Sequence, residues 1–237
     1  MEAITVSKDQ LESYCNTFFH LWEKNYGEKN YEECRSLSNK FITELKPIYK
    51  NRLHGEGPDV SESYSFMYLF LVLAKGFENM IDLVELTKDK SWPDDHKKTE
   101  GIWQTLWDVK ERLDIFTSHY LDQEILATLY DQLKELEHNF YDLYGKGVYM
   151  SSVILVKKAI CTICGKNIKA CMHIPGNLYD GHYCKEQVED FEFHGADFVQ
   201  SPHDMRCRVW PWNFIDEKHI NVRIMNLNQL DDFINEL

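Results

Sequence analysis

The sequence predicts an α+β chain in two parts, an all-α, bundle-like domain over residues 1–145 and a small α+β module over residues 146–237. Three observations carry that reading. Apolar residues recur at helical spacing in five successive segments up to Gly145. Past Gly147 the pattern changes to Val148–Val156, rich in β-branched residues and too short for another bundle helix. Cysteine and histidine then crowd into residues 161–184.

Each helix has its own punctuation. Ser7 with Gln10 forms a capping-box signature ahead of Leu11, Tyr14, Cys15, Phe18, Leu21 and Trp22, and Gly27 stops the segment. Asn30 with Glu33 opens a second, carrying Tyr31, Cys34, Leu37, Phe41 and Leu45, which Pro47 kinks or ends. The turn-rich stretch His54–Asp59 follows, and Asp59 with Glu62 caps a third helix to about Leu86. Its Phe66–Ala74 portion is apolar all round, the mark of a buried central helix. Asp94 and Asp95 cap a fourth, with Trp103, Leu106, Trp107, Val109, Leu113 and Phe116; Asp122 caps a fifth, with Leu126, Leu129, Leu133, Leu136 and Phe140. The many aromatics sit where periodicity sends them into a core, and Cys15 and Cys34 read as buried free thiols.

Charge and composition bound the function. The chain has 237 residues, 43% apolar and 14% aromatic, enough for packed cores. Its 39 acids against 26 bases leave a net charge of -13, which argues against coating DNA or anionic membrane without a local basic face. The start lacks the basic-then-apolar pattern of a secretory signal, and the longest nearly apolar run, Phe66–Ala74, is far below the ~20 residues of a spanning helix. Seven cysteines, four of them clustered, suit thiolate–metal chemistry in a reducing cytoplasm better than a disulfide framework. A soluble cytoplasmic protein with no membrane partner is expected.

The chemistry lies after Gly145. Cys161-Thr162-Ile163-Cys164-Gly165 has the form of a zinc knuckle, a tight turn that aims two sulfurs at one cation while glycine takes the left-handed backbone that follows. Cys171, His173 and Cys184 complete five candidates, of which tetrahedral zinc needs four. Such a thiolate-rich set passivates the metal's Lewis acidity, so the zinc is expected to be structural and to staple a module short of apolar core. Lys185–Phe191 reads as a short helix behind Cys184, which would make the arrangement treble-clef-like.

Residues 147–209 resemble a zinc-knuckle module of uncharacterised bacterial and phage-related proteins, with the layout Cys161, Cys164, Gly165, Cys171, His173, Gly176, Tyr179, Gly181 and Cys184. That resemblance covers about a quarter of the chain, and it implies a structural zinc in a bacterial or viral intracellular setting rather than a reaction.

Function is weighed on the remaining residues. Between Leu143 and Tyr179 stand Lys146, Lys157, Lys158, Lys166 and Lys169 with no Asp or Glu, so Lys157, Lys158, Lys166 and Lys169 are candidates for phosphate contact, with Tyr179 and Tyr183 as stacking partners. His173-Ile174-Pro175-Gly176-Asn177 and His182 faintly resemble an HNH-type nuclease; but no Asp or His precedes His173, and a zinc-ligating His173 could not act as a general base. No Gly-x-Ser-x-Gly or Walker-type loop is present. The expectation is therefore a non-enzymatic accessory subunit of a larger assembly, with no catalytic residue assigned. Its partners would be other proteins and, through the complex, nucleic acid; the rival is a zinc-supported nuclease or other hydrolase. The tail is expected to add strands at 196–199, 206–210 and 220–225 and a terminal helix capped by Asn226, with Trp210-Pro211-Trp212 covering a small sheet or, as the alternative, serving as an exposed anchor for a partner.

Overall fold

The computed structural model describes residues 8–53, 61–120, 124–216 and 219–220. It is α+β: five helices, α1 (Lys8–Gly27), α2 (Tyr31–Leu53), α3 (Ser61–Lys88), α4 (His96–Thr117) and α5 (Glu124–Tyr144), precede all the strands. The Ser7, Asp59 and Asp122 caps, the 54–60 loop and everything after Ile220 lie outside the described residues. Two compact units are present, residues 1–138 with 227–237, and residues 139–226, so the partition falls inside α5.

In the first unit α3 is the central element, packed against α2 and α4. Met67 through Ala74 are all buried, as an apolar-all-round segment requires. Trp22 of α1 and Phe77 of α3 are both fully buried and stack with centroids 3.8 Å apart, while Phe18 stacks on Phe41 of α2 at 4.1 Å. Gly76 lets α4 approach: a Cβ there would lie 3.2 Å from Arg112 Cβ. Asp95 caps α4, its carboxylate accepting from Lys98 N at 3.0 Å, and a 3₁₀ turn at Trp92–Asp94 leads into it. α2 runs through Pro47 without ending there. Polar ties register the helices from outside: Arg35 donates to Asp82 and Glu85 of α3 at 2.7 and 2.8 Å, Lys110 of α4 to Glu137 of α5 at 2.6 Å, and Tyr26 of α1 to Gln132 of α5 at 2.5 Å. Cys15 and Cys34 are buried free thiols, as the periodicity implies.

The second unit is built on a long ribbon. β1 (Val148–Cys161) pairs antiparallel with β4 (Glu186–Val199) over their full length, from Tyr149↔Val199 at the base to Cys161↔Glu186 at the tip. Between them lie a 3₁₀ turn at Ile168–Ala170 and the hairpin β2 (Leu178–Tyr179) and β3 (His182–Tyr183). The helix expected over 185–191 is absent, and residues 186–191 are strand: pairing with β1 overrides the local helix preference of Glu186 and Gln187. Of the strand expected at 206–210 only β5 (Arg208–Val209) forms, beside Val148 and Tyr149; Met205–Cys207 is a 3₁₀ turn capped by Asp204. β6 (Phe214–Asp216) and β7 (His219–Ile220) pair separately.

Arg208 anchors the ribbon's base. Its buried guanidinium donates to the carbonyls of Tyr144 and Gly145 at 3.2 and 2.6 Å, satisfying the open C-terminus of α5. Trp210 lies over Arg208 and against Phe140 and Tyr144, and Trp212 stacks on it with centroids 5.1 Å apart. That places the two tryptophans as cover for the base rather than as a free anchor. Gly147 has φ +85, and a Cβ there would stand 2.7 Å from Arg208 Cζ.

Two substitutions test these packings. Phe77→Ala should destabilise the helical unit by about 3–5 kcal/mol in urea unfolding, the cost of an aromatic-sized cavity in a close-packed core. Gly147→Ala combines left-handed strain with a clash against a pinned guanidinium, so it should destabilise the second unit by about 1–3 kcal/mol. Hydrogen exchange at β1 amides should then rise while exchange in α3 stays unchanged.

Candidate metal centre

The tip of the ribbon is folded by three short local devices. The first is the knuckle: Gly165 N donates to Cys161 O at 2.8 Å and Cys161 N to Lys166 O at 2.9 Å, with Gly165 at φ +67. This turn brings Cys164 back under Cys161. The second is the 3₁₀ turn, where Asn167 Oδ1 accepts from Lys169 N at 2.9 Å and delivers Cys171 to within 3.6 Å of Cys164, sulfur to sulfur. The third is the β2–β3 hairpin, closed by Asp180 at φ 51 and Gly181 at φ 78, the left-handed pair a two-residue turn requires. It returns the chain so that Cys184 N donates to Asn177 O at 2.8 Å and Cys184 Sγ stands 3.8 Å from Cys161 Sγ.

Cys161, Cys164, Cys171 and His173 bring their ligand atoms within 4.8 Å of one another, a set that can hold a metal ion. His173 Nδ1 lies 3.3 Å from Cys171 Sγ and 3.7 Å from Cys161 Sγ. Tyr179 steadies the imidazole: its ring meets that of His173 edge-on at 4.6 Å, and its hydroxyl accepts from Ile174 N at 2.9 Å. Tyr179 is thus a packing partner of the cluster rather than an open platform. The fifth sequence candidate, Cys184, is fully buried beside Cys161, and Cys207 is not among the clustered residues.

The thiols do not ionise independently. Burial opposes ionisation of Cys161, but amide groups of Cys164 and Ile163 aimed at its sulfur, with the thiols of Cys171 and Cys184, outweigh it and bring it down to about 6. Burial first, then the neighbouring Cys161, pushes Cys184 up to about 11, and Cys171 is raised for the same reasons. One thiolate therefore forms readily, and each further one meets its repulsion until a cation neutralises the group.

The lysine candidates divide. Lys157 pairs with Glu192 at 2.9 Å, and Lys158 pairs with Glu189, both acids on β4. Lys166 and Lys169 are exposed beside the knuckle. The sequence reading missed the acidic partners because they lie on the returning strand. The signal available was the alternation Asp190-Phe191-Glu192-Phe193, which marks that segment as strand.

Comparison with protein-family models, curated proteins and solved structures finds no match. Among the described residues no helix is long and apolar enough to cross a membrane.

A metal entering this cluster must displace protons from thiols that share one negative charge. Adding zinc to metal-free protein in weak buffer near neutral pH should therefore acidify the solution. The release should shrink as pH rises, because more of the thiols are then already ionised, and affinity should fall on acidification. A calorimetric or dye measurement with no proton release would mean that the thiols do not ligate.

Proposed function

We propose that the protein is a non-enzymatic accessory subunit of an intracellular, bacterial or phage-related assembly, in which a structural zinc holds the tip of a ribbon that docks on a protein partner. The observation that carries this reading is the thiolate-rich cluster at the end of a ribbon whose middle is exposed on both faces. Thiolates on tetrahedral zinc at ~2.3 Å stand ~3.8 Å apart, and the sulfur pairs Cys161–Cys184 and Cys164–Cys171 lie at 3.8 and 3.6 Å. Sulfur and imidazole donors suit zinc, and a closed set of them suits a structural rather than a catalytic ion. The resemblance of residues 147–209 to zinc-knuckle modules points the same way.

Two features weigh against the alternatives. His173, which a nuclease would need as a general base, has its Nδ1 within the ligand cluster. Protein docking is favoured over nucleic-acid contact because Lys157 and Lys158 are paired with carboxylates, and β4 adds Glu186, Asp190 and Asp197 to the same ribbon.

Metal analysis of purified protein should give about one zinc per chain, and Cys161→Ser should abolish its retention. His173→Ala and Cys184→Ala, made separately, identify the residue that completes the tetrahedron. Chelation should release the protection of amides at the ribbon tip while most helical circular dichroism survives, because the helices have their own core. An iron–sulfur chromophore, absence of metal, or loss of all helicity on chelation would overturn the proposal.

A further inference from the structure

We infer that the protein self-associates, two copies stacking one apolar face of their β1–β4 ribbons against each other. This goes beyond the docking of a different partner proposed above. The register defines the face. On β1, Met150, Ser152, Ile154 and Val156 share one side, and they stand opposite Phe198, Ala196, Phe193 and Phe191 of β4, with a bulge that absorbs His194. Ile154 and Val156 are 40% and 41% exposed, and Phe191, Phe193 and Phe198 are 54%, 62% and 54% exposed. Together these five leave on the order of 500 Å² of apolar surface in contact with water, within the range of the largest patch on a typical monomer.

Two observations select a second copy as the occupant. First, none of the eight residues that make the face is charged. Lys157 and Glu192 form their ion pair across the other side, so a chain of net charge -13 can meet itself here without opposing like charges. Second, the face is self-complementary. Along the ribbon the cross-strand pairs run large (Phe198 with Met150), small (Ala196 with Ser152), then large (Phe193 with Ile154, Phe191 with Val156). A twofold axis that stacks two ribbons antiparallel sets the third pair of each copy on the second pair of the other, so each Phe193 enters the notch at Ala196 and Ser152. Covering the face on both copies removes about 1,000 Å² in total, the lower bound for a specific interface, so the dimer should be a weak one.

Sedimentation equilibrium of the metal-loaded 237-residue chain across the micromolar range should show a concentration-dependent dimer. Phe193→Asp and the milder Ser152→Asp, which fills the notch with a charge at an exposed position, should each raise the dimer Kd about tenfold or more. Leu155→Asp, on the opposite side of β1, should leave it unchanged. Ala196→Phe alone should weaken the dimer, and Phe193→Ala in the same chain should restore it by exchanging knob and notch. Zinc content and far-UV circular dichroism on the same samples confirm that each variant folds and keep this test separate from that of the metal. A monomer at every concentration, whether residues 221–237 or another protein covers the face, overturns the proposal. So does a dimer indifferent to both Ser152→Asp and Phe193→Asp.

Discussion

A two-stranded antiparallel ribbon buries too little apolar surface to hold itself together in water, and the second unit of this protein is arranged around that constraint. Along the middle of β1 and β4 the side chains are exposed on both faces, and burial returns only toward the two ends. At the base, Tyr149, Val209 and Trp210 are buried and Arg208 joins the strands to the last turn of α5. At the tip, the buried apolar side chains among the described residues are only Ala159, Cys161 and Cys184, and the shape there depends on sulfur, imidazole and backbone hydrogen bonds. The ribbon is a span between two anchors of different chemistry.

The helical unit solves the opposite problem. Its central helix α3 has more apolar surface than one face can use, so α2 and α4 pack on different sides of it and the aromatic stack Trp22–Phe77 brings in α1. Ion pairs such as Arg35 with Asp82 and Glu85 lie at the borders of this core, where they set helix register and contribute little energy. The first unit is thus held by packing, whereas the tip of the second is shaped around a Cys/His cluster that can hold a metal ion. The acidic excess is not shared: residues 139–226 carry ten acids and ten bases, so the net charge of -13 belongs to the rest of the chain.

What could be read from the sequence follows how local each cause is. The helices were legible because periodicity and end signals are local, as with Asp95 ahead of α4 and Gly27 at the last position of α1. The Cys/His cluster was legible because a knuckle brings its ligands together within a few residues. Nonlocal causes were not. Arg208 satisfies carbonyls at Tyr144 and Gly145, far back along the chain, and nothing near Arg208 signals that role. Residues 186–191 carry good helix formers, and only the partner strand makes them β. The lysines at 157 and 158 looked like an isolated basic patch until β4 supplied Glu192 and Glu189.

The position of the Cys/His cluster at the ribbon's tip also sets an order of events in time. Closing the pair Tyr149–Val199 at the base spans twice the chain that closing Cys161–Glu186 at the tip does, which costs about 0.6 kcal/mol more in loop entropy before any pairing compensates. With an ion bound as proposed, ligation at the tip would remove even the smaller of these costs, because the knuckle and the hairpin close through short loops of their own. The strands would then zip from the tip toward the base, each new pair extending one already formed, and Arg208 would meet the end of α5 last. On that proposal a nascent chain would acquire its ribbon when it acquires its ion, and the kinetics of metal capture would become the kinetics of folding for this half of the molecule.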